Sequence, residues 1–232
     1  MKQRALFLDR DGVINVDHGY VHHCDNFEFI DGIYELARMA CTGGFKLVVI
    51  TNQAGIGRGY YSEQQFHQLT KWMCNEFLSA GAPIEKVYFS PFHPTEGLGK
   101  YKKDDISRKP RPGMILLAQQ ELDLDLRKSI LIGDKVSDIQ AGIAAGVGTN
   151  LLFSKHSPIE LSCQCYQAIA TLCDAFPFII SDEKCKFCFA QSKPVLQAPK
   201  SNPREARLFV TFRPNEKISD EISITSGYQF NT

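Results

Sequence analysis

The sequence predicts an α/β fold: a doubly wound, mostly parallel sheet of about five strands with helices on both faces. Two observations carry this. Short apolar runs alternate along the chain with segments whose apolar residues recur every three or four positions. Each of the best-defined runs then stops abruptly at polar residues, as expected where buried strands deliver side chains to one edge of a parallel sheet.

The elements follow in order. Ala5-Leu6-Phe7-Leu8 reads as a fully buried strand ending at Asp9. Ile33, Leu36, Ala37 and Ala40 share a helical face that stops at Gly43-Gly44, and Phe45 to Ile50 make a second strand running into Thr51-Asn52. Ser62 and Gln65 have capping-box spacing, and Phe66, Leu69, Met73 and Phe77 carry that helix toward Gly81. Val87-Tyr88-Phe89 is the third strand. A long polar loop, Pro91 to Pro112, precedes a helix marked by Met114, Leu117 and Ala118. Ile130-Leu131-Ile132 is a fourth strand ending in Gly133-Asp134; a short helix and a fifth strand, Asn150 to Phe153, come next. Ile169, Leu172 and Phe176 have the spacing of a last helix packed on the sheet.

Residues 1–180 therefore form one domain. Residues 181–232 differ: prolines at 194, 199, 203 and 214, mixed charge and one β-like stretch, Leu208 to Phe212, cannot build a core, so a poorly ordered or peripherally docked extension is expected.

Composition narrows the function. Lysine plus arginine (26) equals aspartate plus glutamate (26), so the field of the whole molecule does not attract nucleic acid or an anionic membrane, and phosphate recognition must be local. The opening segment, with charge on both sides of a four-residue apolar run, reads as neither signal peptide nor membrane span, so a cytoplasmic location is expected. Eight scattered cysteines, including Cys163-x-Cys165 and Cys185-x-x-Cys188, fit no zinc ribbon or finger and are expected to be free thiols.

The polar strand ends suit phosphoryl transfer. Asp9 and Asp11, separated by one residue where the chain leaves the sheet, point differently, so one can attack while the other moves protons. Gly12 permits the turn, and Asp134 completes an oxygen-rich set for Mg²⁺. The Thr51 hydroxyl, Asn52 and the Lys109 ammonium can donate to phosphate oxygens.

Phe7-Leu8-Asp9-Arg10-Asp11-Gly12-Val13-Ile14-Asn15, Thr51-Asn52-Gln53, Arg108-Lys109-Pro110 and Gly133-Asp134-Lys135-Val136-Ser137-Asp138 resemble, in order and spacing, the four motifs of haloacid dehalogenase-like phosphatases. Asp17-His18-Gly19-Tyr20-Val21 and Thr51 to Gly59 resemble the branch containing D,D-heptose 1,7-bisphosphate 7-phosphatases and histidinol-phosphate phosphatases. The resemblance spans roughly residues 4 to 180 and implies a Rossmann-like core with minimal cap loops. It implies that Asp9 is the nucleophile, Asp11 the general acid/base, and Thr51 and Lys109 the phosphoryl stabilisers. It also implies Mg²⁺ on the Asp9 carboxylate, the Asp11 carbonyl and Asp134. Substrate contacts would come from Asp17, His18, Gly19, Tyr20, Asn52, Gln53, Ala54, Arg108 and Lys135, with Arg108 grasping a second phosphate. Asp138 would orient Lys135 or the metal shell.

The implied reaction is hydrolysis of the C7 phosphate of a heptose 1,7-bisphosphate by a monomer, on the way to nucleotide-activated heptose for lipopolysaccharide or other surface polysaccharide. Histidinol phosphate is the alternative substrate, and a non-catalytic binding protein on the same fold is a third reading. Many members of this branch carry a zinc loop before the Arg-Lys-Pro segment. The matching positions here are Ser90, Phe92, Asp105 and Ser107, a set that cannot make a thiolate site, so no structural zinc is expected.

Overall fold

The computed structural model describes residues 2–154, 165–180 and the backbone of 223–226. Seven parallel strands form one sheet: β1 (Arg4–Leu8), β2 (Phe45–Asn52), β3 (Ile84–Ser90), β4 (Ile130–Gly133), β5 (Thr149–Phe153), β6 (Gln167–Ile169) and β7 (Ser223–Ser226), in spatial order β6-β5-β4-β1-β2-β3-β7. The helices are α1 (Ile33–Thr42), α2 (Ala54–Gly57), α3 (Glu63–Ser79), α4 (Gly113–Leu122), α5 (Val136–Ala145) and α6 (Phe176–Ile180).

The central strands carry apolar runs of three or more residues because both faces are covered. Leu6 and Leu8 of β1 and Leu47 and Val49 of β2 face a core built with α1, α3 and α6. Their alternates, Ala5, Phe7, Val48 and Ile50, face α4 and α5. Period-two alternation thus divides one apolar run between two cores. The α3 start is held as its spacing predicts: the Gln65 N–H donates to Ser62 Oγ at 3.1 Å, and the Ser62 N–H donates to Gln65 Oε1 at 2.9 Å.

Chain order reverses around β1, which pairs with β2 on one side and β4 on the other. Leu8 is level with Val49 and with Ile132, so Asp9, Thr51 and Asp134 all emerge at the carboxyl edge beside that reversal. Ligands of open α/β sheets bind at such a crevice.

Two sequence expectations change. Ile169, Leu172 and Phe176 do not share one helix: Ile169 ends β6, Leu172 lies in a 3₁₀ turn (Leu172–Ala175), and Phe176 opens α6. The Asp174 carboxylate accepts the Ala170 and Thr171 N–H groups, stopping the extended chain and starting the turn. The sheet also gains β6 on β5 and β7 on β3, and every described pairing is parallel. The Leu208 to Phe212 stretch and the cysteines at 163, 185 and 188 lie outside the described residues; Cys24, Cys41, Cys74 and Cys173 are free thiols.

Candidate active site

A cavity of about 250 Å³ opens at the carboxyl edge of β1 and β2, lined among others by Asp9, Asp11, Thr51, Gln53, Lys109 and Lys135. Asp9 leaves β1 with its N–H bonded to the Ile132 carbonyl at 3.1 Å, so its position is fixed by the sheet ladder itself. Its Oδ1 accepts the Arg10 N–H at 2.7 Å and pairs with Lys109 Nζ at 2.9 Å.

Lys109 is buried, and three acceptors hold its ammonium: Asp9, Asp138 Oδ1 at 2.7 Å and the Ile50 carbonyl at 2.9 Å. Burial favours loss of its proton, but Asp138 and Asp9 outweigh it and hold Lys109 above the ordinary lysine range. Asp138 also accepts the Lys135 N–H through Oδ2 at 2.9 Å. Its carboxylate therefore aims Lys109 and closes the first turn of α5, while the Lys135 side chain goes elsewhere. Asn52 fixes the lysine backbone, donating from Nδ2 to the Lys109 carbonyl at 3.0 Å and accepting its N–H through Oδ1 at 3.1 Å.

Asp11 is oriented from several sides. Its Oδ1 accepts Arg10 Nε at 3.2 Å, Arg10 Nη2 at 2.9 Å and Asn15 Nδ2 at 3.1 Å; its Oδ2 accepts Gln53 Nε2 at 2.9 Å. The same Gln53 amide donates to Thr51 Oγ1 at 2.8 Å, and its Oε1 accepts the Tyr61 hydroxyl at 2.5 Å. Tyr61, Gln53, Thr51 and Asp11 form one relay. An amide held at its carbonyl by a hydroxyl donor cannot flip without losing that bond.

Burial pushes the Asp9 carboxyl up to about 8, with Asp138 and Asp134 adding to the push and Lys109 opposing it. Asp134 is likewise raised, to about 6, by burial and by Asp138, against the pull of Lys135 and Lys109. Carboxylate oxygens of Asp9, Asp134 and Asp138 lie within 4.8 Å of one another, and Asp134 Oδ1 is buried with no hydrogen-bond partner. Crowded hard oxygens with an orphaned lone pair fit a small divalent cation. Gly12 makes the approach possible: at φ +97° it brings its backbone so close that a Cβ would stand 2.2 Å from Asp134 Oδ2.

At the rim, Asp17 Oδ1 accepts the Gly19 N–H at 3.1 Å, and its Oδ2 pairs with Lys135 Nζ at 3.0 Å. Partial burial works against its charge, but Lys135 and that N–H hold Asp17 below the usual carboxylate range. Lys135 Nζ lies 3.6 Å from Asp134 Oδ2 as well. Tyr20, at φ 53°, is 42% exposed and lines the cavity beside Gly19. The remaining expected contacts stand back from it. His18 faces a neighbouring depression and pairs with Glu28 at 3.2 Å, Ala54 opens α2, and Arg108 Nη1 donates to the Phe92 carbonyl at 3.0 Å.

Comparison with known proteins gives this geometry its family. A D-glycero-alpha-D-manno-heptose-1,7-bisphosphate 7-phosphatase from Burkholderia mallei is 54% identical over 179 residues, which are 77% of this chain and 95% of that protein. The chain belongs to the heptose-1,7-bisphosphate 7-phosphatase family. The D-glycero-beta-D-manno-heptose-1,7-bisphosphate 7-phosphatase of Escherichia coli K12 is 47% identical over 67% of this chain and 81% of its own. Residues 106–155, which span Lys109 and Asp134, match the HAD-hydrolase-like family model. Among solved structures, the D,D-heptose 1,7-bisphosphate phosphatase from B. bronchiseptica, complexed with magnesium and phosphate, superposes with a TM-score of 0.65 at 22% identity. It covers 77% of this chain and 99% of its own, and it shares the fold.

The four positions expected to lack a zinc site, Ser90, Phe92, Asp105 and Ser107, are joined by hydrogen bonds and packing. Ser107 Oγ donates to Ser90 Oγ at 3.0 Å, Asp105 Oδ1 accepts the Ser107 N–H at 2.9 Å, and Phe92 is buried at 2% exposure. Among the described residues, the acidic and metal-ligating clusters are the Asp9 group and an exposed His23, Cys24 and Asp25. Three residues that orient the site have no role in the sequence reading: Arg10, Asn15 and Tyr61. Arg10, 1% exposed between two aspartates, carries the one usable signal, since a buried guanidinium must be paired. Nothing in the sequence marks Tyr61.

Proposed function

We propose that this chain hydrolyses the C7 phosphate of D-glycero-D-manno-heptose 1,7-bisphosphate through a phosphoryl group carried on Asp9. The observation that carries the reading is the Asp9 carboxylate, 2.9 Å from the Lys109 ammonium, in a cavity also lined by Thr51, Asp11 and Lys135. The names of the relatives at 54% and 47% identity supply the sugar.

Mg²⁺ would be held by the Asp9 carboxylate, the Asp11 carbonyl and Asp134, and when bound it offsets repulsion between carboxylate and phosphate. Asp9 attacks phosphorus in line through Oδ2, since Oδ1 serves Arg10 and Lys109; the new O–P bond forms as the P–O bond to C7 breaks. Asp11 delivers its proton to the departing C7 oxygen. It then takes a proton from water as that water attacks phosphorus, the Asp9–phosphorus bond breaks and inorganic phosphate leaves. Lys109 and the Thr51 hydroxyl donate to the phosphoryl oxygens, where loss of one such donor costs about 2.7–4 kcal/mol in comparable oxyanion sites. Asp17, Gly19, Tyr20, Asn52, Gln53 and Lys135 line the path of the sugar; His18, Ala54 and Arg108 border it from outside that lining.

The same reading assigns residues 1–180 to the phosphatase and 181–232 to an extension, supported by the 179-residue span of the 54% match. It takes the enzyme as a cytoplasmic monomer without structural zinc, acting in heptose activation for surface polysaccharide. No helix among the described residues is long and apolar enough to cross a membrane.

The test is phosphate release with Mg²⁺ from heptose 1,7-bisphosphate and from histidinol phosphate at matched concentrations, with Asp9→Asn as blank. Preference for the bisphosphate, lost in the blank, is expected. Preference for histidinol phosphate would overturn the substrate and keep the chemistry, and turnover of neither would favour a binding protein.

A further inference from the structure

Beside the catalytic cavity lies a basic cluster that the reaction steps above do not use. Arg58 closes α2 and sends Nη1 to the Tyr20 hydroxyl at 2.6 Å, so it touches a residue that lines the cavity. Its Nη2 meets Glu96 Oε2 in a close ion pair and stands 3.3 Å from His93 Nε2. Arg58 Nε is buried without a hydrogen-bond partner. Burial lowers the proton affinity of Arg108, with the nearby Arg58 charge adding to it, and burial followed by both guanidinium charges holds His93 below the ordinary histidine range.

The tautomer of His93 decides what this cluster wants. The Glu96 N–H donates to His93 Nδ1 at 3.0 Å, with Thr95 Oγ1 at 3.4 Å from the same nitrogen. Nδ1 is therefore the acceptor, and in the neutral ring Nε2 carries the hydrogen. Nε2–H cannot accept from Arg58. Two donors instead face each other across 3.3 Å, a contact that is stable only around a shared anionic oxygen. Glu96 Oε2 supplies it, against Arg58 Nη2 and 3.8 Å from His93 Nε2. The Glu96 side chain is 56% exposed, whereas those of Arg58 and His93 are 23% and 16% exposed. The donors are built in; the acceptor is a side chain free to swing into solvent.

We propose that Arg58 and the Nε2–H of His93 form a seat for an anionic group at the rim of the cavity, filled by Glu96 until substrate arrives. The group it takes is the non-reacting phosphate of a bisphosphorylated substrate, which rests on the reading given under Proposed function. Glu96 is then a specificity residue by competition: its carboxylate must be displaced, so it weakens binding of the second phosphate while excluding weaker anions.

The experiment compares kcat/KM for heptose 1,7-bisphosphate with that for p-nitrophenyl phosphate, which lacks a second phosphate. Removing the internal competitor in Glu96→Gln should raise the ratio about three- to tenfold, through KM. Arg58→Gln should lower it by more than about tenfold. A falling ratio in Glu96→Gln, or an unmoved one in Arg58→Gln, overturns the seat. If the wild-type enzyme prefers a different phosphomonoester, the substrate reading fails by itself, and inorganic phosphate becomes the probe. Calorimetric titration into Asp9→Asn should then show tighter phosphate binding with Glu96→Gln added and weaker binding with Arg58→Gln added. Equal affinities in all three proteins would overturn the seat independently.

Discussion

Replacing Gly12 by alanine tests whether Asp134 is placed by the absence of a side chain opposite it. The new Cβ would lie 2.2 Å from Asp134 Oδ2, 2.4 Å from its Cγ and 3.0 Å from its Cβ, where ordinary contact begins near 3.4 Å. The carboxylate or the loop must therefore retreat by more than 1 Å. The loop resists, because Gly12 N–H is bonded to the Asn15 carbonyl at 2.7 Å, and a left-handed alanine adds about 1–3 kcal/mol of strain. Displacement of about 1 Å at a reacting centre costs roughly 10²-fold in rate. Gly12→Ala should thus raise the Mg²⁺ concentration for half-maximal activity by at least about tenfold and lower kcat about 10²-fold, with a smaller fall in Tm. The assay is phosphate release across a Mg²⁺ titration, run also on Asp134→Ala and on the double variant. If the clash acts mainly through the Asp134 carboxylate, the losses in the double variant should fall well short of the sum of the two single losses. Normal Mg²⁺ dependence in Gly12→Ala, or fully additive losses, would refute the argument.

Three further outcomes are expected. Tyr61→Phe frees the Gln53 amide to turn away from Asp11 and Thr51, and should lower kcat about tenfold with little change in KM, measured by steady-state kinetics. Asp138→Asn should lower kcat at least about 10²-fold, because the Lys109 ammonium loses a partner at 2.7 Å; a near-normal kcat would mean that Asp9 and Ile50 suffice to aim it. The carboxyls of Asp9 and Asp134 are raised in the folded chain, so between the ordinary carboxylate range and about 6 to 8 the native state holds more protons than the unfolded one. Metal-free protein should therefore lose stability as pH rises from 5 to 8, and the Tm gained on adding Mg²⁺ should be larger at pH 7.5 than at pH 5.5. A metal-free Tm that climbs over that range in step with Asp134→Asn would contradict the assignment.

What could be read from the sequence follows burial. β1, β2 and β4 are covered on both faces, so each carries a run of three or four consecutive apolar residues, and the first polar residue after each run, Asp9, Thr51 or Asp134, lies at the candidate site. β6 has three residues, two of them exposed, and gives no periodic signal; Ile169 was free to be matched with Leu172 and Phe176 at helical spacing. α2 has four residues, fewer than any periodicity can mark. In the site, Asp9, Thr51 and Asp134 stand at strand ends and are legible as candidates. The groups that aim them act through contacts between distant segments, such as Tyr61 on Gln53 or Asp138 on Lys109, and spacing alone carries no trace of those. His18 differs from its neighbours: Asp17, Gly19 and Tyr20 line the cavity, whereas the turn after Asp17 pairs the imidazole with Glu28.

The paired hydrogen bonds between the Asn52 side chain and the Lys109 backbone have a consequence for the long segment from Pro91 to Pro112. They stitch Lys109 to the end of β2 as a strand neighbour would, so the ammonium is indexed to the sheet and not to the loop that leads into it. The loop is then a tether of tolerant content: whether its ends are drawn together by a metal or by Ser90, Ser107 and Phe92, the lysine arrives at the same address. Insertions or exchanges within it would retune what the rim admits while leaving the bond-breaking apparatus in register.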